Sequence, residues 1–372
     1  MGYKRSSLEG MGIMRSFWEN KRVLITGHTG FKGSWLSLWL QKLGAQVTGY
    51  SLAPPTMPNL FTQADVKNGM TTIFGDIGDL SLLKKTIAEF DPEIIFHMAA
   101  QSLVRKSYQE PVKTFSANVM GTVNLFEAAR SAVNLRVIIN ITSDKCYENK
   151  EWQWGYREID PMGGDDPYSA SKGCAELVTA AYRRSFFPKE NYDLHKVAIS
   201  SVRAGNVIGG GDWAEDRIIP DLVRSIQSNE RLVIRNPHSV RPWQHVLEPL
   251  YGYLLLAEKM WNNGTEYDDS WNIGPSDNDA ISVEALLNLF QEAWGQKLKI
   301  RVDDGNHPHE ANYLKLDCSK ARQQLGWTSR LSIEQCMQWV AAWTRAYLQE
   351  EDIRDFTIDQ ISSFEELIKE HK

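Results

Sequence analysis

Between Arg22 and Arg203 the chain alternates short apolar, β-branched runs with longer amphipathic stretches. The runs 22–27 (RVLITG), 45–50 (AQVTGY), 70–76 (MTTIFGD), 93–99 (EIIFHMA), 135–143 (LRVIINITS) and 195–203 (HKVAISSVR) read as strands. The stretches 34–43, 80–89, 112–133 and 168–187 carry the spacing of helices that cross back over a sheet. The strands are apolar without strict alternation, as expected where helices cover both faces of a parallel sheet. The pattern predicts an α/β fold built on a doubly wound parallel sheet. After Arg203 the rhythm breaks into connections rich in Gly, Pro and Trp, separated by helices at 218–227, 247–260 and 283–294. These predict a smaller mixed α/β C-terminal lobe interleaved with the sheet. Two amphipathic stretches, 333–348 and 358–368, are expected to pack against or cap the rest.

Length and composition narrow the classes. At ~150 residues per domain, 372 residues suit two or three domains. The division expected is an arm or remnant over 1–16, a dinucleotide-binding domain over 17–205 plus about 247–274, a ligand lobe over 206–246 plus about 275–350, and a helical tail over 351–372. Hydrophobic residues at 42% and charged residues at 24% exclude disordered and fibrous chains. A net charge of −6 advertises neither a nucleic-acid partner nor an anionic membrane surface. No stretch has the apolar length of a signal peptide or a spanning helix, so a cytoplasmic location and no membrane partner are expected. Cys146, Cys174, Cys318 and Cys336 lack CxxC spacing and are expected to be free thiols. His307, His309 and Glu310 stand close together without a further ligand cluster, so no metal site is expected.

The chemistry concentrates at strand ends. GHTGFKG follows the first strand, with Gly27, Gly30 and Gly33 spaced for a tight turn, a close backbone approach to a pyrophosphate and helix packing. Thr29, Phe31 and Lys32 lie within the same loop. The second strand ends in Tyr50-Ser51-Leu52, with neither an acid for an adenosine 2'-hydroxyl nor an Arg for a 2'-phosphate. The choice leans to NAD, because a phosphate without a cationic partner is the costlier fit. Tyr168 and Lys172 form a YxxxK pair on one helical face, and a nearby ammonium is expected to lower the phenol's pKa. The fifth strand runs out into Ser143, Asp144 and Lys145, at the end of the sheet that faces the crevice.

The glycine spacing together with YxxxK resembles the extended short-chain dehydrogenases/reductases, a resemblance covering about 17–327. It implies a Rossmann-type sheet, NAD, and Ser143, Tyr168 and Lys172 as the trio that removes a hydroxyl proton while a carbon is oxidised. It further implies that Asp76 and Ile77 lie near the adenine, and that Ala99, Ala100, Gln101 and Asn118 lie along the cofactor, with Gln101 reaching the sugar. Asn206, Arg217 and Arg241 match family positions that contact a nucleotide's diphosphate. The extra Asp144 resembles the sugar-nucleotide 4,6-dehydratases, where an acid expels the 6-hydroxyl after oxidation at C4. Those relatives carry Asp-Glu, whereas the Asp-Lys pair here resembles the branch acting on CDP-D-glucose, at the entry to bacterial deoxysugars. An unperturbed lysine is neutral only ~0.04% of the time at pH 7, a handicap of about 4.6 kcal/mol. Two roles for Lys145 therefore stand: the C5 base, or a cation stabilising the enolate oxygen. A 4,6-dehydratase or 4-epimerase of another nucleotide sugar is the alternative activity. A redox-sensing binding protein would be expected to lack Tyr168 or Lys172. Relatives pair helices like 112–133 and 168–187 across a seam, which implies a homodimer or a dimer of dimers. His97 is expected to be a satisfied core residue.

Overall fold

The computed structural model describes residues 16–276, 279–303, 305 and 313–370. His307, His309 and Glu310, and nearly all of the arm over 1–16, lie outside the described residues. The central sheet has seven strands: β1 (Arg22–Thr26), β2 (Gln46–Ser51), β3 (Thr71–Phe74), β4 (Ile94–His97), β5 (Val137–Ile141), β6 (Ala198–Ala204) and β10 (Ser270–Ile273). Their order is β10-β6-β5-β4-β1-β2-β3, with every neighbouring pair parallel. The order reverses between β1 and β4, which opens a crevice above the carboxyl ends of the strands. Helices α1 (Phe31–Lys42), α2 (Leu80–Phe90), α3 (Gly121–Ala129), α4 (Pro167–Ser185), α5 (Ile218–Ser228) and α6 (Leu247–Asn263) come next. They are followed by α7 (Val283–Trp294), α8 (Ile333–Leu348) and α9 (Ile353–Glu370). Apolar side chains form a core on each face of the sheet. The fold is the doubly wound Rossmann type expected.

The structure adds strands where the sequence reads as connections. β7 (Asn206–Ile208), β9 (Val240–His245) and β11 (Ala280–Ser282) make a small mixed sheet, and β8 (Leu232–Ile234) pairs with β12 (Ile300–Val302). These strands are three to six residues long. They are too short for periodicity to speak, and β9 contains Pro242. β10 likewise arises from a segment that the rhythm left unassigned.

The helix expected over 112–133 is less regular. It runs from Pro111–Phe115 through a π turn at Ser116–Met120 into α3 and ends at Ala129. The π turn places Asn118 inward, where Oδ1 accepts from Gln101 N at 2.8 Å and Nδ2 donates to Ser171 Oγ at 2.8 Å.

Helix α1 is apolar nearly all round, and Gly33 to Leu40 are buried without a break. The partner for its outer face is α9, longer at both ends than the stretch 358–368. Trp39 Nε1 donates to Glu365 Oε1 at 2.8 Å, and Arg354 donates to the Ala64 and Asp65 carbonyls at 3.0 and 2.7 Å. The tail thus covers the outer side of the helix whose N-terminus forms the glycine loop.

Glu248 on α6 is fully buried, and its Oε1 accepts from Arg330 N and Leu331 N at 2.8 and 2.7 Å. Burial pushes its carboxyl up to about 7. The folded state therefore holds this proton more tightly than the unfolded chain does, so the group's contribution to stability falls as pH rises from about 4.5 to about 7. Glu248→Gln keeps the acceptor without the charge. Thermal denaturation is expected to show it equal to wild type near pH 4.5 and more stable, by up to about 3 kcal/mol, at pH 8 to 9. A difference that does not grow with pH would contradict this assignment.

Candidate active site

The carboxyl ends of β1, β2, β4, β5 and β6 open into a single cleft of about 1520 Å³. That exceeds the roughly 300–1,000 Å³ of a pocket for one small molecule, so it accommodates two ligands end to end. Its floor is the turn after β1. Gly27 has φ of +77°, and a Cβ there would lie 2.8 Å from Ala99 N. A Cβ on Gly33 would lie 2.2 Å from the Gly27 carbonyl oxygen, whereas one on Gly30 meets nothing nearer than 3.4 Å. Gly30 caps α1 without a side-chain hydrogen bond, leaving the first-turn N–H groups for an anion. This cradle fits a dinucleotide's pyrophosphate.

Thr29, Asp76 and Ile77 line the adjoining wall. Thr29 Oγ1 bonds Ser51 Oγ at 2.9 Å and donates to the Leu52 carbonyl at 2.9 Å, so neutral hydroxyls stand where a dinucleotide-binding sheet commonly carries an acid. Tyr50 donates to the Asp76 carbonyl at 2.8 Å, joining the ends of β2 and β3. Phe31, Lys32, Ala99, Ala100 and Gln101 also line the cleft. The Gln101 amide is engaged by its own loop and the following helix, donating to Leu103 O and Thr114 Oγ1 at 3.0 Å each and accepting from Leu103 N at 2.6 Å. Asn118 is buried behind the wall and braces Gln101 to Ser171 on α4. His97 is buried with Nδ1 at 2.7 Å from Thr26 Oγ1, and burial takes it down to about 3.

At the centre, α4 brings Tyr168 and Lys172 against the exit of β5. Asp166 caps α4 by accepting from Ser169 N at 2.9 Å. Ser143, Asp144, Tyr168 and Lys172 are buried, and Lys145 is half-buried. Ser143 Oγ donates to Asp144 Oδ1 at 3.0 Å. Burial pushes the Asp144 carboxyl up, with Lys145 and Ser143 opposing. Burial also raises the Tyr168 phenol to about 12, opposed by the Ser143 hydroxyl and aggravated by Asp144. The expected lowering of the phenol by Lys172 is therefore not present in the protein alone. Lys172 Nζ instead donates to the Ile141 carbonyl at 3.2 Å, and burial brings it down to about 8 against the pull of Glu176. Lys32, half-buried, is brought to about 7 by burial and by Lys172 and Arg217.

Asn206, Arg217 and Arg241 line the far wall. Arg217 bridges the lobes, donating to Asp212 Oδ2 at 3.0 Å and Ser102 Oγ at 3.2 Å. Arg241 donates to the Val240 carbonyl at 2.9 Å and is near enough to lower Asp144.

Sequence reasoning missed Glu176 and Arg203. Arg203 Nη2 donates to Glu176 Oε2 at 2.8 Å, with both side chains almost wholly buried. The available signal was a glutamate one helical turn beyond the lysine of YxxxK; the arginine 27 residues later gave none.

A Rossmann cleft carrying this trio defines a short-chain dehydrogenase/reductase-type enzyme. The chain belongs to the GDP-mannose 4,6 dehydratase family, whose sequence model matches residues 24–340. It is 53% identical over 352 residues to the CDP-glucose 4,6-dehydratase of Salmonella typhimurium, covering 95% of this chain and 98% of that one. It is 27% identical to the dTDP-glucose 4,6-dehydratase of Streptomyces antibioticus, covering 87% and 92%. Among solved structures it resembles the UDP-glucose 4-epimerase of Thermotoga maritima, with TM-score 0.76, 20% identity and coverage of 88% and 99%. It also resembles the dTDP-glucose 4,6-dehydratase of Streptomyces venezuelae, solved with NAD, with TM-score 0.73, 22% identity and coverage of 89% and 98%.

The glycine geometry gives a contrast to test. Gly33→Ala forces a methyl into backbone and is expected to lower stability by about 1–3 kcal/mol. Gly30→Ala loses less than about 1 kcal/mol, since only the cap changes. Equal melting temperatures for the two variants would contradict the close approach at Gly33.

Proposed function

We infer that the protein is a CDP-D-glucose 4,6-dehydratase, a hydro-lyase that uses NAD to form CDP-4-keto-6-deoxy-D-glucose and water. The observation that carries this reading is a buried Asp144 followed by a half-buried Lys145 beside the Ser-Tyr-Lys trio, in a chain 53% identical over its near-full length to a CDP-glucose 4,6-dehydratase. Oxidation alone needs only the trio; the second acid is what elimination requires.

Gly27, Gly30 and Gly33 would hold the pyrophosphate of NAD, with Thr29 and Ser51 toward the ribose and Asp76 and Ile77 toward the adenine. When bound, NAD would supply the hydride acceptor and donor for C4 and C6, and the positive charge of its oxidised ring would favour the Tyr168 phenolate. Ser143 and Tyr168 orient the C4 hydroxyl, and the phenolate oxygen of Tyr168 receives its proton. The ammonium of Lys172 stabilises that phenolate. The C4 ketone makes the C5 proton acidic. Lys145 takes it, and Asp144 gives its proton to the departing 6-hydroxyl, which leaves as water; Lys145 then returns a proton to C5 as hydride is added at C6. The upward push on Asp144 suits an acid that must arrive protonated. In the second role open to Lys145, its charge steadies the enolate oxygen while another group takes the C5 proton. Arg217 and Arg241 face the diphosphate with guanidinium forks, and Asn206 adds an amide.

The enzyme works as a homodimer, or a dimer of dimers, through the seam of the π-turn helix and α4. Val112, Met120 and Leu177 are 77%, 52% and 60% exposed there, an apolar surface that a second copy would cover. Light scattering is expected to give twice the chain mass or a multiple of it; a monomer at micromolar concentration would overturn this. The free, mostly buried cysteines suit a reducing cytoplasm. The product's place is in deoxysugar synthesis of the lipopolysaccharide O-antigen kind.

With CDP-glucose and NAD the protein is expected to form the 4-keto-6-deoxy product. Tyr168→Phe is expected to lower kcat by about 10²–10⁴. Lys145→Met is expected to stop exchange of the C5 proton with solvent, read by mass spectrometry in deuterated water. Normal exchange in that variant would leave Lys145 the enolate-stabilising role.

A further inference from the structure

We propose that Tyr147, aimed by Arg203, is a positioning residue whose phenol holds the Asp144–Lys145 turn for elimination, separately from the contacts that hold the trio for oxidation. This rests on the roles assigned to Asp144 and Lys145 under the proposed function.

The turn itself is weak. Asp144–Cys146 is a single three-residue 3₁₀ turn, capped by Ser143 Oγ accepting from Lys145 N at 3.2 Å. Such a turn has too few hydrogen bonds to fix its side chains. It is instead spanned from behind by a closed run of buried contacts. On the entry side, Thr142 Oγ1 donates to Glu176 Oε1. Glu176 Oε2 accepts from Arg203 Nη2 at 2.8 Å. Arg203 Nη1 donates to Tyr147 Oη at 2.7 Å, on the exit side, and to the Glu158 carbonyl at 3.1 Å. Tyr147 Oη then donates to Asn272 Oδ1 at 2.7 Å, on the edge strand of the sheet, and its ring stacks on Tyr156 at 5.2 Å. Thr142, Glu176, Arg203 and Tyr147 are all buried.

A buried ion pair is weak evidence of stabilisation, because desolvation consumes much of the attraction. What it does supply is direction: each guanidinium N–H has a fixed line to its acceptor. The trio does not depend on the Tyr147 phenol: Glu176 ties α4 to Thr142 and Ser201 without it. Tyr168 and Lys172 are fixed by α4 and by the Ile141 carbonyl, and Ser143 leads directly out of β5. The phenol of Tyr147 can therefore be removed with Thr142, Glu176 and α4 left in place, which loosens only the exit side of the turn. An error of about 1 Å in a reacting group can cost about 10²-fold in rate.

The test is a rapid-mixing experiment on holoenzyme with CDP-glucose, following reduced nicotinamide at its absorbance band. In Tyr147→Phe the reduced cofactor is expected to form at the wild-type rate. It should accumulate to several times the wild-type amplitude, while product formation slows by about 10- to 100-fold. A role confined to stability would slow both phases together or neither, and either result overturns the proposal. Should Tyr147→Phe fail to fold, Arg203→Lys keeps the charge beside Glu176 but loses the second arm of the fork, and the same accumulation is expected. Lys145→Met run in parallel separates this inference from the one beneath it. If Lys145→Met accumulates reduced cofactor and Tyr147→Phe does not, only the positioning role falls. If neither does, the assignment of the Asp-Lys pair to elimination falls as well.

Discussion

The Glu176 carboxylate is the charge on which the geometry of the cleft depends. It is buried at the junction of α4, β5 and β6, where it accepts from Thr142, Ser201 and Arg203. Leaving such a charge without its partners costs about 3–5 kcal/mol, so the three elements can approach only in the arrangement that satisfies it. That arrangement sets the register of α4 against the sheet. It places Lys172 one turn above the carboxylate and Tyr168 a further turn above, facing the end of β5. The same charge opposes the burial that draws Lys172 down to about 8, and so helps keep its ammonium.

Desolvation is the common cause behind the electrostatics of the site. It raises Asp144 and Tyr168 and lowers Lys172 and Lys32, bringing each toward its neutral form. For Asp144 and Lys172 the shift runs toward the working pH and favours proton exchange, whereas for Tyr168 it runs away from it. In the proposed mechanism, a second acid beside the oxidising trio is what separates dehydration from epimerisation. The fold alone supports both, as the epimerase and dehydratase structures on the same scaffold illustrate.

Much of this was legible along the chain, because its local signals agree with its global fold. Six of the seven central strands are apolar runs, the glycine loop sits between a strand and a helix, and YxxxK opens a helix. What stayed hidden is non-local or too short. β7, β8, β9, β11 and β12 have three to six residues and sit among Gly and Pro. The inward turn of Asn118 depends on a π turn that no spacing rule announces. The pairing of Glu176 with Arg203 joins a helix to a strand, and each residue alone reads as ordinary. The unbroken burial of α1 makes sense only once α9 covers its outer face. The phenol at Tyr168 is the clearest departure in chemistry, since spacing suggested a lowered pKa and burial raises it.

One cleft removes a hydride from C4, expels the C6 hydroxyl and returns the same hydride to C6 without releasing it. The most direct measurement uses CDP-glucose carrying deuterium at C4, mixed with an equal amount of substrate labelled only in the carbon skeleton. The deuterium is expected to reappear in the C6 methyl group of the same sugar, with no crossover to the other population. Deuterium lost to solvent, or found on the carbon-labelled product, would contradict it.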